Sequence, residues 1–435
     1  MLLACVTLTP LSAKAQTMTL SREQCVEIAL SDNPTIRIAD MEVRRMDYSR
    51  RETLAALFPS IDFGASYQRS IELQTVKMNM GDTSQSLKMG SDNTWNLGFQ
   101  ASLPLIAPQL WKNISISDTR ILQNMEAARA SRLDMVHQVN QAYYTLLLAT
   151  ASREVLSQNY ENAKFNADLY EKQFAAGTAS EYDVLRSQVQ VKNLEPEILQ
   201  ADISIRQASL QLKILMGMDP DTQIAPSVTL KEMQQDMYAY TMGLDTSLAD
   251  NTSMRSLKLD TDLLSKTLSL QKRAFLPTLS ATFNLNWISM SNGNALRNFD
   301  FTPYSNVGLT LQIPIFSGGR RHYAVKQAQT QLAEMQFRRE NLERSLRAQV
   351  DLAIDNINKE VRQISTNAEG VRQAEKAHRI MQKSFEIGAA SYLDLRDSEL
   401  AETTARLAYY QAIYNYLIST SELDLLLGRG LPSHN

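Results

Sequence analysis

Two periodicities alternate along this chain of 435 residues, and each occurs twice. Ile61, Phe63, Ala65 and Tyr67 alternate with Asp62, Gly64, Ser66 and Gln68, the period of a strand with one apolar face. After a polar stretch, Glu72–Asn93, the alternation resumes at Trp95, Leu97, Phe99, Ala101, Leu103 and Leu105. It returns at Leu279, Ala281, Phe283, Leu285 and Trp287, and once more at Val307, Leu309, Leu311, Ile313 and Ile315. The spacing predicts strands at about 61–71, 93–105, 279–290 and 304–315, each near the length of a tilted strand that crosses a bilayer. A strand pair half buried in a soluble sandwich shows the same alternation.

Apolar positions at threes and fours follow each strand pair. They predict long helices over about Trp111–Ala176 and Arg320–Ile387, the first roughly 100 Å long at about 1.5 Å per residue. On the second, Leu342, Leu346, Val350, Ala353, Ile357, Val361, Ile364, Ala368 and Val371 form a coiled-coil-like stripe, with Arg338, Glu340, Glu343 and Arg347 around it as a solvated face. Each long helix runs into a tip of one form. KQFAAGTASEYDVLRSQV (Lys172–Val189) and KSFEIGAASYLDLRDSEL (Lys383–Leu400) lie 211 residues apart and share Gly177/Gly388, Ser180/Ser391 and Asp183/Asp394. Glycine past a periodic run is a helix stop, because only glycine takes the left-handed conformation cheaply. Ser-x-x-Asp is a helix restart, in which the serine oxygen and the aspartate each accept an otherwise orphan N–H. Stop and restart within a few residues predict a tight antiparallel helix hairpin.

The returning helices, Ser180–Met216 with a kink expected at Pro196 and Ser391–Leu427, end at Gly217 and Gly428. Asp32-Asn33 recurs as Asp250-Asn251, and Phe58-Pro59 as Leu276-Pro277, both 218 residues on. A helical pattern over Thr19–Ala56 is split in two at Pro34, since proline is tolerated at a helix start but not inside one. The chain therefore reads as a leader (1–15), a first repeat (16–218, tip 177–183), an irregular bridge (219–245), a second repeat (246–430, tip 388–397) and a short tail (431–435).

Charge adds little, with 44 basic residues against 47 acidic, so no nucleic-acid surface is expected. The leader MLLACVTLTPLSAKAQ resembles the end of a secretory signal, with Ala13-Lys14-Ala15 as its cleavage site and no basic segment before it. Leu2-Leu3-Ala4-Cys5 has the form of a bacterial lipobox without an apolar region ahead of it. Cleavage leaves Cys25 alone, which excludes an intrachain disulfide. No run approaches 18 apolar residues, so no transmembrane helix is expected. His137, His322, His378 and His434 are scattered without metal-ligand spacing, and no nucleophile elbow, phosphate loop or dinucleotide fingerprint is present. Neither an enzyme nor a cofactor is expected.

Strand, loop, strand, long helix, glycine, tip and returning helix, twice over, resemble the outer membrane efflux protein family of TolC type from about Met18 to Gly430. GTASEYDVL and GAASYLDLRD at the tips, and LFPSI and LQIPIFSGG at the strand ends, carry the resemblance. It implies an α+β membrane protein and a homotrimer, whose four strands per chain make one 12-stranded β-barrel continued by a periplasmic α-helical barrel. Such a protein is an exit duct in the outer membrane of a Gram-negative-type envelope, conducting passively for efflux or type I secretion. Its implied partners are outer-membrane lipid, a periplasmic adaptor (membrane fusion) protein and an inner-membrane pump, the last two at the helical tips.

The resemblance also implies roles at the tips. Asp394 and Asp397 match the family's aspartate pair at the periplasmic mouth, where a trimer gathers six carboxylates that attract cations, repel anions and raise one another's pKa values. Read from the residues alone, Asp394 and Asp183 are helix caps. Asp183 matches a family residue that locks the closed mouth through an arginine, but Ala390 occupies that position here. Phe385 stands where the family's lock has a tyrosine. The alternative from the residues is a periplasmic structural coiled coil with soluble β-hairpins.

Overall fold

The computed structural model describes residues 17–80, 83–233, 245–293 and 300–431. The leader with Ala13-Lys14-Ala15 and Cys5 lies outside them, as do His434 and parts of the 219–245 bridge and of the loop before Thr302. The elements follow in the order β1 (Met18–Leu20), α1 (Arg22–Asp32), α2 (Pro34–Ala55), β2 (Ser60–Arg69), β3 (Gln74–Met80), β4 (Thr83–Met89), β5 (Asn93–Ile106) and α3 (Pro108–Ala175). Then come α4 (Glu181–Met216), β6 (Ile224–Pro226), α5 (Thr252–Arg273), β7 (Thr278–Ser291), β8 (Thr302–Gln312), α6 (Arg320–Glu386) and α7 (Tyr392–Leu427). The described residues form two compact units. One draws on Met1–Met41, Met125–Ser256 and Arg339–Asn435, the other on Glu42–Asn124 and Leu257–Arg338.

Two details depart from the sequence reading. Glu72–Asn93, expected as a polar loop, holds the antiparallel hairpin β3–β4. β8 stops at Gln312, leaving Ile313 and Ile315 beyond it, because Pro314 lacks an N–H and restricts the residue before it. α4 contains Pro196 within a continuous helix.

The second unit contains an antiparallel sheet in the order β2-β5-β7-β8. Its register lines up Phe63, Phe99 and Leu285, and then Ile61, Ala101, Phe283 and Val307, on one face. Aromatic pairs reinforce that face: Phe63–Phe99 at 5.0 Å, Tyr67–Trp95 at 4.5 Å and Phe99–Trp287 at 6.3 Å between ring centres. The other face is small and polar. Asn284 bonds Asn306 at 2.9 Å, and a Cβ on Gly98 would lie 1.9 Å from the Asn286 side-chain oxygen. The apolar face is nonetheless exposed, with Leu309 at 69% and Leu311 at 59%. The outer edges of β2 and β8 have no strand partner among the described residues.

The core lies in the first unit, where Cys25 and Ile36 pack with Val139 and Tyr143 of α3, Leu212 of α4 and Ile413 of α7. The α6 stripe turns inward as its period requires: Leu346, Val350, Ala353, Ile357 and Ile364 are buried. Two matching joints organise this unit. At the first, the Asn33 side-chain oxygen accepts the Thr35 N–H (2.7 Å) at the start of α2, and its amide donates to the Leu215 carbonyl (2.8 Å) at the end of α4. At the second, Asn251 accepts the Met254 N–H (2.9 Å) at the start of α5 and donates to the Leu426 carbonyl (2.7 Å) at the end of α7. Gly217 (φ 67°) and Gly428 (φ 71°) end the incoming helices. Arg129 adds its guanidinium to the second joint, bonding the Gly428 and Asp250 carbonyls and the buried Glu126.

The two kinds of helix stop differ in how much space surrounds them. A Cβ at Gly428 would sit 2.0 Å from the Asp250 carbonyl oxygen, whereas one at Gly388 meets nothing within 4 Å. Gly388→Ala should therefore cost only the strain of a positive φ, about 1–2 kcal/mol, and Gly428→Ala distinctly more. Thermal unfolding of the two variants checks the ranking, and equal losses would contradict the close approach at the joint.

Candidate functional site

The tips repeat the same backbone solution. After α3, the Gly177 N–H donates to Phe174 (2.9 Å) and the Thr178 N–H to Gln173 (2.8 Å). After α6, the Gly388 N–H donates to Phe385 (2.9 Å) and the Ala389 N–H to Ser384 (2.7 Å). Both glycines have φ 75°, the left-handed conformation this paired hydrogen-bond motif needs. Three residues after the glycines, Ser180 and Ser391 open α4 and α7 with full capping boxes to Asp183 and Asp394. The serine hydroxyl also donates to the aspartate at 2.6 Å in each case.

The carboxylates differ in their company. Asp394 accepts from the Ser391 hydroxyl and N–H through Oδ2, and these bonds hold it below the usual carboxylate range. The cap thus stabilises the second tip above the ordinary aspartate pKa and is lost as pH falls through the depressed one. Asp397 is exposed, with the Arg396 guanidinium at 3.8 Å. Its counterpart in the first repeat, Arg186, lies over the Tyr392 ring at 5.9 Å from the centroid.

An aromatic cluster, which the sequence reading missed, joins the two hairpins within one chain. Tyr170 near the end of α3 meets Tyr392 at 5.2 Å and Phe385 at 6.1 Å, and Phe385 meets Tyr392 at 6.4 Å. Tyr170 and Tyr392 are buried. Burial pushes the Tyr170 phenol up to about 12, so it stays neutral. Phe385 thus contributes ring packing at a position where the resemblance implies a tyrosine. Tyr392, Leu395, Glu399 and Thr403 are buried on one side of α7 at helical spacing, a signal that was present in the sequence. Ala390 follows the turn and brings no charge to it.

Elsewhere the chemistry is sparse. Cys25 is free and buried, its thiol pushed up to about 11 by burial. His137 and His378 bond Ser421 and Ser398. Among the described residues, no group of three His, Cys, Asp or Glu side chains could hold a metal ion, and no helix is long and apolar enough to cross a membrane.

A family model described as outer membrane efflux protein matches residues 25–218 and 243–429. The alkaline protease secretion protein AprF of Pseudomonas aeruginosa is 24% identical over 412 residues, 92% of this chain and 83% of that protein. The outer membrane protein TolC of Escherichia coli is 25% identical over 366 residues, covering 79% of this chain and 74% of its own. A crystal structure of CusC superposes with a TM-score of 0.76 at 19% identity, covering 95% of this chain and 94% of the other.

Replacing Phe385 with Ala removes two of the three ring contacts, each worth about 0.5–1.5 kcal/mol. Amide exchange over both tips should quicken in this variant while the joints at Asn33 and Asn251 stay protected. Unchanged exchange would show that the cluster does not hold the tips together.

Proposed function

The chain belongs to the outer membrane efflux protein family, and from that premise we propose how it assembles and what it works with. It is an exit duct of the outer membrane that extends into the periplasm and serves efflux or type I secretion. The observation that carries the proposed assembly is the β2-β5-β7-β8 sheet, with one continuous apolar face and two open edges. Four twisted strands do not close on themselves. A homotrimer in which β2 of one copy pairs with β8 of the next closes a 12-stranded barrel, its apolar face toward lipid.

Each repeat, 16–218 and 246–430, supplies two strands and one helical hairpin, and six hairpins continue the barrel as an α-helical one. The stripe of Tyr182, Leu185, Val189, Leu199 and Ile203, exposed on α4 in the single chain, supports this reading as a surface for the neighbouring copy. The tips face a periplasmic adaptor and an inner-membrane pump, which supply the energy that the duct lacks. Among the relatives, AprF is named for protease secretion and CusC for cation efflux. At the mouth, Asp394 and Asp397 of three copies form a ring of carboxylates that concentrates cations, with Asp183 on the first tips beside it.

Single-channel recording of the purified trimer tests the duct. We expect a conductance that divalent cations block from the periplasmic side, and loss of that block in the Asp394→Asn, Asp397→Asn double variant, in which Ser391 still caps α7 but the charged half of the capping box is gone. Equal block in both proteins would leave the two aspartates without an aperture role. Leu311→Arg tests the barrel separately: at mid-bilayer depth it costs about 2–4 kcal/mol and should reduce membrane assembly, which a soluble hairpin would not show.

A further inference from the structure

Two turns along α7 from Tyr392, Glu399 is only 7% exposed within its own chain. No neighbouring copy is needed to enclose it. The α3 surface it meets is polar but uncharged. Asn162 hydrogen-bonds the Glu399 carboxyl, and one turn to either side Asn159 and Asn166 are buried. The second carboxyl oxygen, Oε1, has no hydrogen-bond partner. An ionised carboxylate left with one unbonded oxygen in a buried seam is strongly disfavoured, and the neutral acid far less so.

The surrounding charges do not correct this. On α7 itself, Glu402 adds repulsion and holds Arg406 at 2.8 Å, and Arg406 also holds Glu375 of α6 at 2.9 Å. Arg396 lies near the Tyr392 ring and 3.8 Å from Asp397. From α4, Arg186 lies over the Tyr392 ring. From α6, His378 bonds Ser398 at 3.2 Å. From α3, Tyr170 at the tip remains neutral. Among the described residues, no cation pairs with Glu399. Burial therefore pushes its carboxyl up to about 7, against the Asn162 bond and with help from Glu402. Glu399 is also coupled to the aromatic cluster, because it lies close enough to disfavour ionisation of the Tyr392 phenol.

Resting on the duct reading above, we propose that Glu399 is a proton-operated latch between α3 and α7. Neutral, it keeps the second tip docked on the first hairpin; ionised, it releases α7 and opens the periplasmic entrance. The sign follows from linkage. The docked state holds the proton more tightly than a released, solvated one, whose ordinary value is 4.5. Docking is thus fullest below about 4.5 and weakens as pH rises through about 7, by a factor on the order of a hundred. A periplasm acidified from outside would shut this duct, and return to neutrality would free it.

The test is open probability of the purified trimer in planar bilayers as the periplasmic-side pH is raised from about 5 to about 8. Recordings in wild type and in the Asp394→Asn, Asp397→Asn background separate the latch from the mouth carboxylates. We expect at least a tenfold rise in both. Glu399→Gln, which imitates the neutral acid, should stay at the low-pH level throughout. Asn162→Ala removes the bond that favours the ionised form and should move the midpoint upward. A wild-type pH profile in Glu399→Gln would overturn the latch, as would an unmoved midpoint in Asn162→Ala; the latter decides alone if the Gln variant does not assemble. A trimer that conducts at no pH would overturn the duct reading and the latch with it.

Discussion

A helix end leaves its last carbonyls or first N–H groups without intrahelical partners, and a chain made mostly of helices meets that deficit at every terminus. Asn33 and Asn251 each meet it for two helices at once, accepting from the helix that begins and donating to the one that ends. Stacking end to end becomes possible only because glycine follows the incoming helix, where a side chain would press on the Asp32 or Asp250 carbonyl. The lengths on either side of the joints are matched between repeats. α4 and α7 have 36 residues each, α2 and α5 have 22 each, and the uninterrupted α3 and α6 have 68 and 67. The strand pairs show no such matching, since the first is spanned by an additional hairpin, β3–β4.

The sheet answers a different constraint. Helices in the first unit bury their apolar stripe against one another, whereas the strands display theirs. In water such a surface would be a liability, and a bilayer makes it the favourable side. Both arrangements come from apolar content of the same kind; the period of the pattern decides which way it faces.

Legibility in the sequence followed the range of the interactions. The tips were readable because a glycine stop and a Ser-x-x-Asp restart are complete within a dozen residues, and the structure shows the corresponding hydrogen bonds in both copies. Strand placement was readable to within a few residues because alternation is local, and it failed at Ile313 where proline ended the ladder. The β3–β4 hairpin was passed over because its stretch is rich in polar residues, although Val76, Met78 and Met80 alternate with Thr75, Lys77 and Asn79, and Gly81-Asp82 between two short runs is a hairpin signal. The pair β1–β6 joins Met18–Leu20 to Ile224–Pro226, three residues each and some two hundred apart, and no local pattern announces it. The aromatic cluster is hidden for the same reason: Tyr170 meets residues more than two hundred positions away.

Each tip closes its own hydrogen bonds inside a short segment, from the paired turn bonds to the capping box. Its backbone therefore owes nothing to whatever docks against it. A contact made on such a surface forms and dissolves without refolding, so its lifetime is set by a few side chains and its partner can be exchanged quickly. A tip that ordered only on contact would have to lose that order before letting go. A tip whose order is complete in advance offers any contact a finished shape.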